Sequence, residues 1–509
     1  MIEANNRIAL SLSAGTLILL ALLAGCRVGP AYHAPAPPAV TAPDYKESTV
    51  NFKDADGWKV ASPKDATIRG KWWEIFQEPE LNALEEQLNI NNQNLKEYFQ
   101  NYMEARSLVA EARSQYWPTI TVNPSWSRSR TSSNQHSSSS SSNSSGSTSS
   151  LWTAPIEASW TPDFWQKIRN EVREAQYAAQ VSAADLENEK LVEQASLAEY
   201  FFEIRGQDML QQILNQTVAA DQKSLDYTQS QYETGIGDYI SVTEAKTTLE
   251  SAKSSATNVG LLRAQYEHAI AVLLGKPPSD FSLSVKPMTY VPPPIPIGVP
   301  SQLIERRPDI AAAERTLAEA NAKIGIGYGA FFPNVTISAE GGLESALFKH
   351  LFDWPSRIWS VGPSVSETVF DGHLYRAELH EYVAAYNSDV AAYRQTTLTA
   401  FQQVEDDLAA TRIYSQQLLH QQQAVKNAQE YLSLEQARYE TGVDPYVDVM
   451  TAQNTVLSAQ QTLNTLQVDE MISAVELVQA LGGGWDRSQL PTPEQTGAKT
   501  TNADYTIQR

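Results

Sequence analysis

Only one of the 509 residues is a cysteine, Cys26, so no disulfide can form within the chain. The 7 histidines are scattered, and no HExxH or comparable metal spacing occurs. No phosphate-cradling GxxxxGK[ST] loop is present, and no GxGxxG follows a strand pattern. No nucleophile stands at a recognisable spacing from a base, so the chain reads as a non-enzyme with no metal and no diffusible cofactor. Basic residues are scarce: 38 against 59 acidic ones, a formal charge of −21. A phosphate backbone needs a basic face, so nucleic acid is excluded as a partner. Long apolar runs are missing as well. Beyond residue 26 nothing reaches the ~18 consecutive apolar residues of a spanning helix. Any span of a membrane must then be built from strands, which satisfy their polar backbone by pairing.

What is present begins at the N-terminus. Met1–Asn6 is short and polar, Arg7 supplies one positive charge, and Ile8–Ala24 is apolar. This is the layout of a secretory signal peptide, residues 1–25. Leu23-Ala24-Gly25-Cys26 resembles the bacterial lipobox, in which the cysteine becomes the new N-terminus and is acylated. The expectation is S-diacylglycerol and N-palmitoyl groups on Cys26, since two or more chains make a stable anchor. Arg27 after the cysteine implies, by the same resemblance, the outer membrane. Residues 26–71, including "APAPPAV" (34–40), read as a proline-rich tether, with order expected from Trp72-Trp73.

From Leu81 to Tyr116 apolar residues recur at helical spacing, and Pro118 ends the helix. The period then changes to two. Ile120, Val122, Pro124 and Trp126 alternate with polar residues. A serine run fills 137–150, and Trp152, Ala154, Ile156, Ala158 and Trp160 alternate again. This predicts a β-hairpin over 118–162 with a polar loop. A very long helix follows, from Trp165 to Glu233 and about 100 Å in length at ~1.5 Å per residue. "TGIGD" (234–238) interrupts it, a second helix runs to Leu274, and "VPPPIPIGVP" (291–300) is a linker.

The same programme then restarts. A helix beginning in "ERRPDIAAAE" (305–314) ends before Pro333. A hairpin fills 333–370, a long helix runs from Leu374 to Glu440, "TGVDP" (441–445) interrupts, and a last helix ends near Leu481-Gly482. The turn "YETGIGDYISV" (232–242) returns as "YETGVDPYVDV" (439–449), an offset of 439 − 232 = 207. The first helices align at 309 − 94 = 215. The first copy therefore holds 215 − 207 = 8 extra residues, placed most simply in its serine-rich loop. The chain is an internal duplication: repeat 1 over 72–300, repeat 2 over 301–484, and a tail over 485–509.

Alternation of apolar and polar residues, with tryptophan marking the strands, is the pattern of outer-membrane strands. Four strands cannot close a barrel, and open edges in lipid are costly. Two copies would supply eight strands and three copies twelve, and the strands alone do not choose between them. The long helices then project from one side of the membrane.

Taken together, Leu23-Ala24-Gly25-Cys26, "WWEIFQEPELNAL" (72–84), "ERRPDIAAAE", "FFPNVTISAEGG" (331–342), "VFDGH" (369–373), "QQVEDDLAATR" (402–412) and the two YETG turns resemble the TolC-like outer-membrane factors. The likeness is greatest to their lipoprotein branch (NodT type), and it runs in order along nearly the whole mature chain. The resemblance implies an α+β membrane protein. Its homotrimer forms a 12-stranded transmembrane β-barrel continuous with a long periplasmic α-helical barrel, with four strands and four main helical segments per protomer. A belt built from the segments before Leu81, the proline linker and the C-terminal tail surrounds the helices. The implied function is a passive exit duct for drugs or other small molecules, working with a periplasmic adaptor and an inner-membrane resistance-nodulation-division transporter. A duct for type I protein secretion is the rival reading. The helix-turn-helix tips, with Gly235, Gly237, Gly442 and Pro445 in their turns, close in such channels like an iris. The carboxylates carried over to the gate are Asp448 and Asp444. Asp444 stands where the pattern has a basic residue, and Thr451 where it has a second aspartate. Asp444 also reads as a turn and capping residue before Pro445.

Overall fold

The computed structural model describes residues 28–36, 45–47, 70–132, 148–288, 292–293, 295 and 305–497. After a short 3-10 turn, Trp72–Phe76, come α1 (Pro79–Asn91) and α2 (Gln93–Ser114). The strands β1 (Thr119–Val122), β2 (Ser125–Arg130) and β3 (Thr148–Trp160) follow, then α3 (Lys167–Glu233) and α4 (Tyr239–Leu273). The second copy is α5 (Pro308–Gly329), β4 (Asn334–Ser345), β5 (Arg357–Ser366), α6 (Leu374–Glu440) and α7 (Tyr446–Ala480). A short α8, Pro493–Thr496, lies in the tail.

The duplication is visible residue by residue. α3 and α6 each have 67 residues, α4 and α7 each 35, and α2 and α5 each 22. The offset between copies is already 374 − 167 = 207 where the long helices begin, so the eight extra residues lie between α2 and α3, in the first hairpin.

Three expectations are corrected. The single helix expected over Leu81–Tyr116 is two, divided at Asn92 (φ −56°, ψ 131°). The Asn92 side chain accepts from the Leu95 N–H, as an N-cap does, and its Nδ2 donates to the Leu273 carbonyl at 3.0 Å. Tertiary hydrogen bonds at one polar residue thus override a continuous apolar pattern. Order also begins before Trp72. The Tyr32 hydroxyl donates to Glu314 Oε1 at 2.7 Å, Tyr45 is buried, and the backbone N–H groups of Lys46 and Glu47 reach the Glu405 carboxylate. The end of the serine run, read as loop to residue 150, is strand from Thr148 onward. Its Ser149 faces Ser129, and Ser150 faces Arg128.

The five strands form one antiparallel sheet, β1 and β2 both pairing β3, then β4, then β5. β1 and β2 are one strand in register, interrupted at Asn123-Pro124, where proline has no N–H to give. Opposed residues share a face. Val122, Ile156, Gly341 and Trp359 stand in one cross-strand row, and Ile120, Ala158, Ala339 and Val361 in another. The rows between them are polar: Thr121, Glu157, Glu340 and Ser360 stand together. The pleat thus sorts every expected apolar position onto one side.

The core sits in the belt, not in the sheet. Trp72, Trp73, Phe76, Leu81, Leu84 and Leu88 pack against Phe201, Phe202 and Ile204 of α3 and Met471 and Val475 of α7. A second cluster joins Tyr45 and Ile310 to Tyr393, Val404 and Leu408 of α6. The described tail begins at the belt, where Trp485 is buried and Arg487 donates to Glu314 at 2.9 Å. It climbs α3 toward the sheet, with Gln180 donating to the Pro491 carbonyl, Gln176 to that of Pro493, and Arg113 to that of Gly497.

Candidate functional site: the helical tip and the membrane sheet

The far end of the long helices is made by two copies of one turn. Gly235 and Gly442 both sit at φ +76°, a conformation that costs an L side chain. Each follows a Schellman pattern. Ile236 N–H bonds back to the Gln231 carbonyl and Gly235 N–H to that of Tyr232. Val443 and Gly442 do the same to Arg438 and Tyr439. The backbone is repeated, but the side chains are not. In the first turn Asp238 caps α4, accepting from the Ser241 N–H at 2.7 Å, and the Gly237 N–H reaches the Gln231 carbonyl. In the second turn Pro445 occupies the cap position and offers no side-chain bond. The carboxylate has moved back one residue, to Asp444.

Asp444 does not cap a helix. It is gripped through both oxygens by the Arg438 guanidinium, one contact being Nη2 to Oδ1 at 2.9 Å. That bond holds the Asp444 carboxyl below the ordinary aspartate range. Asp448 lies in the first turn of α7, where the helix N-terminus favours an anion. Glu435, Asp444 and Asp448 can bring carboxylate oxygens within 4.8 Å of one another. Desolvation and the hydrogen bond to Asp444 push the Glu435 carboxyl up. The structure therefore gathers the two expected carboxylates and adds two residues that sequence reading missed, Glu435 and Arg438. Their signal was an acid and a base one helical turn apart, just before the glycine turn.

The tip tyrosines divide in the same way. Tyr446 is buried, its ring 5.4 Å from that of Tyr439, whose hydroxyl donates to Gln231 at 2.6 Å and ties the two turns together. Tyr232 and Tyr239 pack against each other with tilted rings 5.4 Å apart but stay exposed, beside Ile236 and Ile240.

At the opposite end the sheet has two unpaired edges, one along β1 and β2 and one along β5. Its apolar side chains find no cover in the protomer: Trp359 is 79% exposed and Val361 66%. Aromatic residues mark both ends of this face. Near the helices, Trp165 stacks on Phe332 at 4.8 Å, and Trp160 Nε1 donates to the Tyr116 carbonyl. At the far end Trp126, Trp152 and Phe348 form a chain with ring separations of 5.6 and 4.9 Å. Among the described residues no helix is long and apolar enough to cross a membrane.

Cys26 lies outside the described residues, but the chain just after it is placed. The carbonyl of Pro30 accepts from Asn321. Gly29 lies so close to Gly325 that an added Cβ would come within 2.8 Å of its Cα.

Comparison with known proteins gives a consistent result. The family model described as outer membrane efflux protein matches residues 84–276 and 299–483, one segment in each repeat. The chain is similar to the solvent efflux pump outer membrane protein SrpC of Pseudomonas putida, 31% identical over 476 residues, covering 93% of this chain and 98% of that protein. It is 28% identical over 480 residues to the antibiotic efflux pump outer membrane protein ArpC of Pseudomonas putida, covering 94% and 97%. The structure of the outer-membrane channel OprN superposes with a TM-score of 0.81 at 24% identity, covering 90% of this chain and all of that one.

Proposed function

The chain belongs to the outer membrane efflux protein family, and from that premise we propose how its parts work as the outer-membrane channel of a multicomponent efflux pump. The observation that carries the reading is the sheet. One face is apolar in every row, the other is polar, and both edges are open. A single protomer would leave edge N–H and C=O groups unsatisfied in lipid, each at a cost of several kcal/mol. Three copies close a 12-stranded barrel, with apolar rows toward lipid and the Glu157–Glu340 row toward water. The long helices continue the duct about 100 Å across the periplasm. The protein conducts and does not catalyse. Drugs or other small molecules leave passively through it, delivered by a resistance-nodulation-division transporter that a periplasmic adaptor joins to the tips.

The gate lies in the second turn. Three copies bring three Asp448 side chains toward one axis, and like charges there attract cations and resist tight closure. Arg438 neutralises Asp444 within each protomer, which leaves Asp448 as the principal gate carboxylate and Asp444 as the residue that fixes the turn.

Cys26 carries the lipid. Gly29 rests on Gly325, four residues from the end of α5 and therefore about 6 Å from it. Three further residues span at most about 10 Å, so Cys26 is within reach of the barrel rim, where acyl chains enter the bilayer.

The test is electrical. Purified protein in planar bilayers should give uniform unitary steps, and Asp448→Ala should change resting conductance or block by cations. Absence of steps would mean a periplasmic scaffold instead of a channel.

A further inference from the structure

The cations of the membrane domain are few and all at one end. Within the hairpin segments 118–162 and 333–370 the only lysines and arginines are Arg128, Arg130, Lys349 and Arg357. β1 and β4 begin directly after helices, and β3 and β5 end directly before them, so the 130/148 and 345/357 ends of the sheet face away from the periplasm. All four cations lie at this distal end.

Three of them also share the lipid-facing side. Arg128 and Arg130 fall two and four residues past Trp126 on one strand, opposite Ser150 and Thr148, and so stand on the face of Trp126 and Trp152. Arg357, opposite Leu343, shares the face of Trp359 and Val361. Lys349 is exposed in the turn immediately after Phe348, whose ring packs tilted against Trp152. The acids of the strands are on the other face: Glu157 opposes Glu340, and Glu344 opposes Thr153. Among the described residues no carboxylate forms an ion pair with any of the four cations. The carboxylate nearby, Asp353, is bonded to His350 at 2.7 Å. The Arg357 guanidinium is braced over the Trp354 ring, 3.1 Å from its centroid, with Nε on the Trp354 carbonyl.

The level of these groups matters as much as their sign. At ~3.3 Å per residue Arg128 lies about 7 Å along the strand beyond the Trp126 ring, and Arg130 about 13 Å. The Trp126–Trp152–Phe348 chain marks the upper edge of the apolar band. Arg128 and Arg130 thus stand beyond the apolar band, at headgroup height, on a protein whose net charge is −21, while Arg357, in the row of Leu343 and Ala154, starts two residues nearer the helices than the Trp152 row and lines the inner side of the rim.

We propose that this outward rim binds the phosphate groups of a phosphorylated glycolipid of the outer leaflet. Arginine suits the task, because its planar fork takes two phosphate oxygens at once. The aromatic chain below packs against the acyl chains and sets the depth of the headgroup. The three protomers repeat the rim around the barrel, so an annulus of glycolipid seals the joint between channel and membrane. The inference rests on the outer-membrane reading above.

The test uses full-length protein purified in detergent and three probes: bis-phosphorylated lipid A, dephosphorylated lipid A and phosphatidylglycerol. Retained lipid is counted by native mass spectrometry, and affinity by titration. The expected result is at least tenfold tighter binding of bis-phosphorylated than of dephosphorylated lipid A, lost in R128S/R130S/K349Q/R357Q and weakened by added salt. R128S/R130S alone, at strand positions beyond the apolar band, should lose a large part of it. Equal binding of the two lipid A forms would overturn the proposal, as would undiminished binding by both variants or equal competition from phosphatidylglycerol. Unitary conductance in plain phospholipid bilayers separates the two layers of inference. A variant that conducts but does not bind supports the rim, whereas wild-type protein that never conducts refutes the channel.

Discussion

Arg205 and Arg412 are the same residue of the two repeats, and the structure gives them different fates. Arg205 is fully buried. Its Nη2 meets Glu80 at 2.6 Å, its Nη1 meets the Ser284 carbonyl at 2.6 Å and Asp208 at 3.2 Å, and Phe201 lies 4.7 Å beneath the guanidinium. These bonds hold residues 281–286, which leave α4 and return across the belt, against α3. Arg412 instead reaches Glu47 of the N-terminal segment at 2.6 Å, with its side chain 37% exposed.

Replacing Arg205 by methionine keeps most of the volume and removes the charge. Glu80, about one-third exposed, regains water. Asp208 keeps Arg263 at 2.7 Å and the Lys286 N–H at 2.8 Å. What is stranded is the Ser284 carbonyl and part of the Asp208 carboxylate. Breaking a buried ion pair costs about 3–5 kcal/mol, and the surviving partners place this case near 3. At ~1.4 kcal/mol per factor of ten in an equilibrium constant, local opening of 281–286 should rise about 100-fold. Hydrogen exchange of those amides, followed by mass spectrometry, reads that ratio directly. Arg412→Met should raise exchange at 45–47 by less than about fivefold, as expected of a solvated pair. A change below fivefold in the first variant, or equal changes in both, would refute the claim that burial sets the strength of each clasp.

Three further outcomes follow from the geometry. Val361→Arg places a charge in the lipid-facing row and should cost roughly 2–4 kcal/mol, seen as loss of assembled trimer in membranes. Ser360→Arg, its immediate neighbour, should assemble normally and change conductance instead; equal damage from both would mean that the register is wrong. The Asp407 carboxyl is pushed up to about 7, first by desolvation and then by Glu476 and Asp406. A raised carboxylate pKa makes its contribution to stability greatest at acid pH and lost as pH rises toward 7. Asp407→Asn should therefore raise the melting temperature at pH 8, with the gain shrinking toward zero below pH 5; a gain independent of pH would contradict the assignment. Cys26→Ala should abolish labelling by palmitate, and persistent label would remove the lipid from that residue.

Much of the architecture was legible because it rests on period and punctuation. The strands announced themselves by alternation, since a period of two is what a sheet with one lipid face demands. The long helices were bounded by glycine turns that only one backbone conformation serves, and α6 begins and ends on the residues read from the sequence. What could not be read depends on contacts between distant segments. The break at Asn92 needs the Leu273 carbonyl, and the docking of Tyr32 needs Glu314. The climb of the tail along α3 needs Gln176 and Gln180. At the tip the carboxylates were found but not their partner, because the Arg438–Asp444 pair spans a turn whose closure the spacing alone does not specify.

The differences between the repeats follow one rule. Where a residue serves only the backbone, both copies keep it: Gly235 and Gly442 share one φ value. Where it faces something the other copy lacks, the copies part. The position of Arg438 in the second turn is Gln231 in the first, which bonds to Tyr439; the position of Asp444 is Gly237. Six equivalent turns could pack around an axis as six equal staves, with nothing to favour one aperture over another. Substituting a charged pair into alternate turns breaks that equivalence. It gives three turns with an exposed aromatic and aliphatic surface and no arginine, and three tyrosine-anchored ones that carry the Arg438–Asp444 ion pair. An aperture controlled by charge can then move one set of turns while the other holds its packing. For that reason we propose the gate in the second turn, where Asp448 stands beside a carboxylate already held by Arg438, and the partner-facing surface at Ile236, Tyr239 and Ile240 of the first.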